Sequence, residues 1–299
     1  MNKAISADFL RKKFKEMGYI CGEEVIITTY LALCLKKPIL IEGPPGVGKT
    51  EMAKVLAGAF ETELIRLQGY EGLDENKALY EWNYQRQLLQ IQISKENRQP
   101  KELEEDLFSF AYLLERPLLK AIRTPYRVVL LIDEVDKCDE EFEAFLFEVL
   151  SDFQVSIPEL GTIKAKHIPI VVLTSNSERE LSDGLKRRCV YLYLDFPSIE
   201  REVEIIKAKV PQAGEKLTLE IARAINYIRS NPDIKKKPSI AETIDWARSL
   251  VALNSDRLQG SLVEATLNIF LKSQTDQLTF REQIGGEELV QKARMGVFK

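Results

Sequence analysis

Apolar residues follow two repeats along the chain, and the order of these repeats predicts the architecture. Short strand-like segments occur at residues 38–42, 64–67, 128–132, 168–173 and 189–194. Those at 128–132, 168–173 and 189–194 are continuous in apolar residues, which is typical of strands buried on both faces of a parallel sheet. Between these runs, apolar residues recur every three or four positions, as on amphipathic helices. Strands that alternate with helices predict an α/β fold in which helices flank a parallel sheet.

The strand-like runs stop near residue 198, and only helical spacing continues to residue 299. Ser198 is placed to cap a helix that runs through Ala208, and Ser239 forms a capping box with Glu242 ahead of another helix. The sequence therefore predicts an αβα domain over residues 1–197 and a smaller all-α domain over residues 198–299.

Within the first domain, helical spacing predicts further helices over residues 5–16, 23–35, 51–57 and 103–114. We expect the third of these to stop at Gly58. After the strand at 64–67, the aromatic residues Tyr80, Trp82 and Tyr84 lead into a polar stretch at 94–101. We interpret this region as an insertion with an exposed tip.

The composition argues against several classes of partner, binding site and location. Asp and Glu outnumber Lys and Arg by 46 to 42, which gives a formal charge of −4 and makes nucleic acid an unfavoured partner. Four widely spaced cysteines predict neither a disulfide framework nor a metal cluster. The chain begins without an apolar signal segment, and no run approaches the length of a membrane span. We expect a cytoplasmic protein with reduced thiols.

A glycine-rich motif directly follows the first predicted strand. Its spacing is G-x-x-x-x-G-K-[ST], formed by Gly43, Pro44, Pro45, Gly46, Val47, Gly48, Lys49 and Thr50. A strand, a glycine-rich turn and a helix N-terminus in this order form a phosphate-binding loop, whose backbone N–H groups surround the anion. We expect this loop to bind ATP, with Lys49 on the β- and γ-phosphates, the Thr50 hydroxyl in a Mg²⁺ shell and Glu51 ending the segment.

Asp133 and Glu134 end the strand at 128–132 and are the expected companions of such a loop. Ligands bind at the carboxyl edge of a parallel sheet, where both features emerge. We expect Asp133 to hold Mg²⁺, directly or through water, and Glu134 to activate the attacking water. Charged pairs also occur after strands as ordinary loop residues, but the upstream phosphate loop favours the functional interpretation and an ATP-hydrolysing enzyme.

These motifs together resemble an AAA+ ATPase. Four sequence segments make the resemblance more specific. They are GPPGVGKTE at 43–51, IDEVD at 132–136, LSDGLKRRC at 181–189 and PSIAETIDWA at 238–247. These segments look like the MoxR group, in particular its CoxD-like branch. The resemblance covers nearly the whole chain and implies a P-loop core followed by a helical lid domain.

The resemblance also implies roles for three further residues. Asn176 would be sensor 1, an amide that hydrogen-bonds the γ-phosphate or the attacking water. Arg188, or else Arg187, would be an arginine finger that acts on the site of a neighbouring subunit. The alternative is that both arginines are solvated cations at a helix end.

An arginine finger implies a homo-oligomeric ring, which we expect to be a hexamer. The family resemblance further implies a chaperone that acts on a client protein complex, often with a von Willebrand factor A-domain protein. In the CoxD-like branch the client is a molybdenum-containing carbon monoxide dehydrogenase or a related enzyme.

The sequence departs from the family at sensor 2, because residues 239–244 contain no arginine. One of the lysines at 235–237 could substitute, or these lysines form a solvated loop. The aromatic insertion and residues 155–165, similar to the hairpin before sensor 1, are candidates to contact a client. For Tyr80, Trp82 and Tyr84, packing within the insertion is an equal alternative.

Two other functions compete with the chaperone. One is a nucleic-acid motor or loader of the same fold, which would need a basic stripe. The other is a nucleotide-dependent binding switch that does not hydrolyse ATP, which would lack a water-activating residue or a usable finger.

Overall fold

The computed structural model describes residues 5–94 and 106–296, which form two compact units. The first unit contains the residues up to Leu10 together with Glu23–Glu42 and Lys49–Tyr193. The second contains Arg11–Gly22, Gly43–Gly48 and the residues from Leu194 onward. The glycine-rich loop before Lys49 is therefore grouped with the second unit.

The elements occur in the following order. The strands are β1 (Ile39–Glu42), β2 (Leu64–Gln68), β3 (Tyr80–Trp82), β4 (Leu113–Glu115), β5 (Val129–Asp133), β6 (Gln154–Ile157), β7 (Gly161–Lys164), β8 (Ile170–Ser175) and β9 (Val190–Tyr193). The helices of the first part are α1 (Ala7–Glu16), α2 (Glu23–Leu35), α3 (Lys49–Ala59), α4 (Glu75–Ala78), α5 (Tyr84–Ser94), α6 (Pro117–Arg123), α7 (Glu140–Asp152) and α8 (Asp183–Arg188). Those that follow are α9 (Ile199–Lys209), α10 (Glu215–Ser230), α11 (Ile240–Ala252), α12 (Gly260–Ala265), α13 (Leu267–Phe270), α14 (Gln274–Gln283) and α15 (Gly285–Met295).

A five-stranded parallel sheet in the order β2-β5-β8-β1-β9 forms the centre of the first unit. Every residue of β1, β5 and β8 is buried, as continuous apolar runs in a sheet covered on both faces require. Val172 of β8 lies in register with Leu131 of β5 on one side and with Ile39 of β1 on the other. The predicted α/β fold with a parallel sheet is confirmed.

Helix α3 differs from the prediction because it continues through Gly58 to Ala59. The turn that ends it is centred two residues beyond Ala59, where Glu61 adopts a left-handed backbone with a φ of 52°. The Thr62 N–H donates to the Ala57 carbonyl at 2.9 Å, and the Glu61 N–H donates to Gly58 at 3.1 Å. This is the Schellman pattern with Glu61 in the position that usually favours glycine, so the expected stop at Gly58 is wrong.

The insertion after β2 folds around a short antiparallel pair, β3 with β4. Trp82 is 8% exposed and meets the ring of Phe108 edge to face at 5.3 Å, whereas Tyr84 is 62% exposed. The helix predicted through residue 114 is wrong at its end, because pairing with β3 draws residues 113–115 into β4. A 3₁₀ turn, Phe110–Tyr112, precedes that strand. The expected exposed tip at 94–101 lies outside the described residues beyond Ser94.

The hairpin expected at 155–165 is present as β6 and β7, which pair antiparallel around Ile157 and Gly161. None of the helices within the described ranges is long and apolar enough to cross a membrane.

Helices α9 to α15 give the second unit its own apolar core. Trp246, Phe270 and Phe280 are each at most 1% exposed, and the rings of Trp246 and Phe270 lie 4.3 Å apart. The predicted capping box is present, because the Glu242 N–H donates to Ser239 Oγ and the Ser239 N–H donates to the Glu242 carboxylate. The chain from Leu194 onward thus has the helical character that the sequence predicts.

A buried ion pair links three helices of this unit. The guanidinium of Arg229 donates two bonds, 2.8 and 2.9 Å long, to the carboxylate of Glu202, and both side chains are at most 5% exposed. Arg229 also donates to the Pro238 carbonyl at 2.7 Å, and the Thr243 hydroxyl donates to Glu202 at 3.0 Å. Burial raises the pKa of Glu202, and the contacts with Arg229 and Thr243 oppose that rise.

Replacing Arg229 by Ala is expected to lower the free energy of unfolding by about 3–5 kcal/mol, because Glu202 is left buried without its counter-ion. The pKa of Glu202 then rises further, and a carboxyl group that binds its proton more tightly in the folded state destabilises the fold as pH increases. The loss should therefore shrink as the pH falls to about 5 and below. Denaturant unfolding at several pH values measures both effects.

The matched control is Arg248→Ala, which removes a pair with Asp245 whose side chains are 58% and 62% exposed. We expect this change to cost less than about 1 kcal/mol. Equal losses for the two variants would contradict the assigned role of the Arg229 pair.

Candidate functional site

Three parallel strands end at one edge of the sheet and bring predicted site residues together. β5, β8 and β1 are neighbours, so the residues that follow them emerge on the same side. Lys49 begins α3, Asp133 ends β5 and Asn176 follows β8. The Lys49 ammonium group donates a 2.8 Å hydrogen bond to the side-chain oxygen of Asn176. Residues far apart in sequence therefore share one site.

Lys49 is a buried cation, with only 6% of its surface exposed. Burial lowers its pKa, and the carboxylates of Asp136, Asp133 and Glu134 oppose that shift. A buried ammonium group surrounded by little water binds an anion strongly, because solvent does not compete for its donors.

Asp133 is fully engaged by side chains from neighbouring elements. Its Oδ1 accepts hydrogen bonds from the hydroxyls of Thr50, at 2.9 Å, and Thr174, at 2.5 Å. Its Oδ2 accepts a 2.6 Å bond from the guanidinium of Arg66 on β2. The carboxylate is thereby held in one orientation, with a cation beside it.

The residues at this position fit a divalent cation of the magnesium type. The Thr50 hydroxyl and the Asp133 carboxylate supply oxygen atoms, the ligands that Mg²⁺ prefers, and such a site is normally completed by water and substrate phosphates. Among the described residues, no group of three or more His, Cys, Asp or Glu side chains could hold a metal ion.

Glu134 has an unusual backbone, with a φ of 56° and a ψ of 50° in the left-handed region. Its N–H donates to Thr174 Oγ1 at 2.9 Å. Its carboxylate atom Oε2 accepts bonds from the Gln68 amide and the Lys137 ammonium group, both at 2.8 Å. The backbone turn directs this carboxylate toward the end of β2, where Gln68 receives it.

Gly69 allows β2 to end close to this turn. Its N–H donates to the Asp133 carbonyl at 2.6 Å. A Cβ added to Gly69 would lie 2.2 Å from the Glu134 carbonyl oxygen, which is closer than real Cβ contacts allow. The backbone of Asp133 and Glu134 is thus enclosed from the β2 side by a residue that has no side chain.

Asp136 positions the loop that carries Asn176. It is 4% exposed, and its Oδ2 accepts the N–H groups of Asn176 and Glu178, both at 3.0 Å. Its Oδ1 is the buried side-chain polar atom that has no hydrogen-bond partner in the described part of the chain. The Asp136 carboxylate, just after β5, therefore fixes the backbone of the loop after β8.

The glycine-rich loop needs glycine at two places. Gly43 has a φ of 149°, and a Cβ there would lie 1.9 Å from the Leu194 carbonyl oxygen. Gly46 has a φ of 73°, and its Cβ would lie 2.4 Å from Ser239 Cβ. No other residue type fits these positions without moving the backbone.

Residues that are not part of the loop donate hydrogen bonds to two of its carbonyl groups. The Ile240 N–H, at the start of α11, donates to the Gly46 carbonyl at 3.2 Å, and the Tyr19 hydroxyl donates to the Gly48 carbonyl at 3.3 Å. The remaining loop residues are Pro44, which is half-buried, Pro45, which is exposed, and Val47, which is 7% exposed.

Three predicted residues are not part of the cluster around Asp133. Glu51 pairs with Lys54 one turn along α3, at 3.0 Å. Arg187 and Arg188 are exposed at the end of α8, and the Arg188 guanidinium lies 4.7 Å from the centre of the Phe147 ring. Their placement leaves both arginines accessible to another molecule.

Five residues that shape the site are not among those predicted from the sequence, namely Arg66, Gln68, Gly69, Asp136 and Thr174. The sequence alone gives little indication that these residues belong to the site. Gln68 ends a short strand and Gly69 follows it, whereas Thr174 lies two positions before Asn176, after the apolar residues 170–173 of its strand. A register for the parallel strands would have placed Thr174 opposite Asp133, but the order of strands is not readable from their apolar runs.

Comparison with known families gives a match over residues 38–189, just over half of the chain. The matching model describes an AAA domain of the dynein-related subfamily. This segment contains the glycine-rich loop, Asp133, Glu134, Asn176 and the arginines at 187 and 188.

Similar proteins include gas vesicle ATPase GvpN of Haloferax mediterranei, which is 25% identical over 66% of this chain and 58% of its own length. An uncharacterized protein of Staphylococcus haemolyticus is 26% identical over 79% of this chain and 84% of its own. Among solved structures, a variant of Thermotoga maritima RuvB covers 97% of this chain and 86% of that chain with a TM-score of 0.51 and 20% identity. The last likeness concerns the fold alone. The matched stretch spans less than two thirds of the gas vesicle protein.

Replacing Gly69 by Ala is expected to lower the free energy of unfolding by about 1–3 kcal/mol, because the new Cβ overlaps backbone that cannot rotate away. Chemical denaturation measures the loss.

The matched control is Gly214→Ala, since a Cβ there meets no atom within 4 Å. Its cost should stay below about 1 kcal/mol. If the two variants were equally stable, β2 would not approach Glu134 as closely as described.

Proposed function

Since the chain belongs to the dynein-related subfamily of AAA domains, we propose that it is an ATPase that remodels or matures a client protein complex. The observation that carries the proposal is the convergence of Lys49, Asp133 and Asn176 on one sheet edge directly after a phosphate-loop motif. We assign residues 1–197 to the nucleotide-binding domain and residues 198–299 to a helical lid.

The residues around Asp133 supply what phosphoryl transfer to water needs. Lys49 binds the β- and γ-phosphates of ATP, and Asn176, its present partner, hydrogen-bonds the γ-phosphate or the water. Thr50 and Asp133 would hold Mg²⁺, which would supply neutralisation of the negative charge on the phosphates. Thr50 and Asp133 are already joined by a 2.9 Å hydrogen bond, so their oxygens are prearranged.

Glu134 is the proposed water activator. Gln68 and Lys137 both bind its Oε2, and within the described part of the chain Oε1 is available to accept a proton from water. The left-handed backbone of Glu134 fixes the direction from which its carboxylate reaches the water. A carboxylate held by hydrogen bonds loses little entropy when the reaction begins.

Arg188, with Arg187 as the alternative, is the proposed arginine finger for a neighbouring copy of this chain. Both residues end α8 in exposed positions, where a guanidinium reaches a second molecule. The finger stabilises charge that develops on the transferred phosphoryl group. The site of each copy is then completed by the next one, which favours a ring such as a hexamer.

The proposed client activity rests on family resemblance. The text of residues 181–189 and 238–247 supports the MoxR group and its CoxD-like branch. We therefore propose a protein client, such as a molybdenum-containing carbon monoxide dehydrogenase-like enzyme, handled with a von Willebrand factor A-domain protein. The net charge of −4 gives a nucleic-acid motor less support.

Replacing Glu134 by Gln is expected to lower the turnover of ATP by about 100-fold or more, because the amide cannot accept the proton of water. Nucleotide binding should persist, since Lys49 and the loop are unchanged. Replacing Lys49 by Ala should instead weaken binding itself. Phosphate release and binding of a fluorescent ATP analogue measure the two effects.

The matched control is Glu141→Gln, an exposed carboxylate on α7, which should leave turnover unchanged. Wild-type protein that binds ATP without turning it over would favour the non-hydrolysing switch. Turnover that DNA stimulates, and that weakens steeply with salt, would favour the nucleic-acid motor.

Mixing variants tests whether the finger acts between copies. Arg188→Ala lacks the finger but keeps its own site, whereas Glu134→Gln keeps the finger but has an inactive site. If each site is completed by its neighbour, a mixture of these two inactive proteins should regain part of the wild-type turnover. A mixture that stays inactive would contradict a finger in trans, and a normal rate for Arg188→Ala alone would transfer the role to Arg187.

A further inference from the structure

Thr174 is a buried hydroxyl between the two acidic residues of the site. It lies near the end of β8, opposite Asp133 of β5 in the parallel register, and only 1% of its surface is exposed. The rest of β8 before it, residues 170–173, is apolar. A hydroxyl at this place therefore needs partners, because an unpaired polar group in a sheet core is destabilising.

Both hydrogen-bonding functions of this hydroxyl are used on the acidic pair. Its proton is donated to Asp133 Oδ1 at 2.5 Å, and its oxygen accepts the Glu134 N–H at 2.9 Å. One atom thus fixes the carboxylate of Asp133 and the backbone of Glu134 at the same time.

The bond to the Glu134 N–H matters because of the backbone that it holds. Glu134 is left-handed, a conformation that a residue with a Cβ adopts only when its surroundings impose it. The peptide group between Asp133 and Glu134 is held from two sides, because its carbonyl accepts the Gly69 N–H on the β2 side and its N–H donates to Thr174 Oγ1 on the β8 side. When the bond to Thr174 is lost, this peptide group can turn about its remaining bond to Gly69 toward an ordinary backbone, and the Glu134 carboxylate then changes direction.

We propose that Thr174 is a positioning residue, which acts through Asp133 and Glu134 to aim the water-activating carboxylate and the metal-binding oxygen. Because only 1% of its surface is exposed, it acts through these two residues rather than on ATP. The inference rests on the proposed ATPase function, and it deepens that function by assigning the geometry of the acidic pair to a hydroxyl on the neighbouring strand.

The experiment compares Thr174→Val, which keeps the shape and removes the hydroxyl, with Thr174→Ser, which keeps the hydroxyl and removes a methyl group. For Thr174→Val, kcat should fall about 10- to 100-fold, while KM for ATP and the Kd of a fluorescent ADP analogue stay within about threefold of wild type. Thr174→Ser should keep kcat within about threefold of wild type, although the lost methyl group lowers the unfolding temperature.

The matched control is Thr29→Val, which removes another fully buried hydroxyl, and the bond that this hydroxyl makes among the described residues goes to Val25 in its own helix. Its kcat should equal that of wild type. The proposal is overturned if Thr174→Val keeps the wild-type kcat, if Thr174→Ser loses as much activity as Thr174→Val, or if Thr29→Val loses as much.

The hydrogen bond from the Glu134 N–H to Thr174 Oγ1 is called the clamp here. Amide hydrogen exchange at Glu134, followed by NMR without nucleotide, tests the clamp independently of turnover. Exchange should be at least about tenfold faster in Thr174→Val than in wild type and nearly unchanged in Thr174→Ser. Unchanged exchange in Thr174→Val would refute the clamp even in an active enzyme. If wild-type protein has no turnover that Glu134→Gln removes, the ATPase proposal fails, and the exchange result still decides whether Thr174 holds Glu134.

Discussion

Parallel pairing of β8 with β5 on one side and β1 on the other is the constraint on which the first unit depends. Main-chain hydrogen bonds and packing fix the register of these fully buried strands, because a shift of one residue would move every side chain to the opposite face of the sheet and break the packing on both faces. Every polar residue that follows these strands is placed by that register. Asp133, Thr174 and Lys49 meet because the strands that lead to them cannot slide.

Charge around this edge is balanced locally. Asp133 has Arg66 beside it, and Glu134 has Lys137. Lys49 interacts electrostatically with these two carboxylates and with that of Asp136. Each acidic group therefore has a cation close by before any ligand arrives. A nucleotide with its metal brings both signs of charge together, so it can enter this balance with little net electrostatic cost.

Much of this arrangement can be predicted from sequence, and the remainder depends on tertiary contacts. The apolar runs identify the strands because burial on both faces excludes polar residues, and the loop motif identifies Lys49 and Thr50 because few other structures need that spacing. The predicted end of α3 at Gly58 was wrong because Glu61 adopts a backbone that usually requires glycine. The helix predicted through residue 114 was wrong at its end because pairing with β3 outweighs the helical spacing of that segment.

The hydrogen bonds that hold the glycine-rich loop from outside also give it a polarity. A planar trans peptide points its carbonyl and its N–H in opposite directions. The Gly46 carbonyl is turned toward Ile240, and the Gly48 carbonyl is turned toward Tyr19. The N–H of Val47 and the amide after Gly48 therefore face the other way. The two carbonyl oxygens that would repel an anion are engaged by Ile240 and Tyr19, and the two N–H groups on the opposite side, with their positive partial charge, are turned away from those oxygens before any phosphate is present.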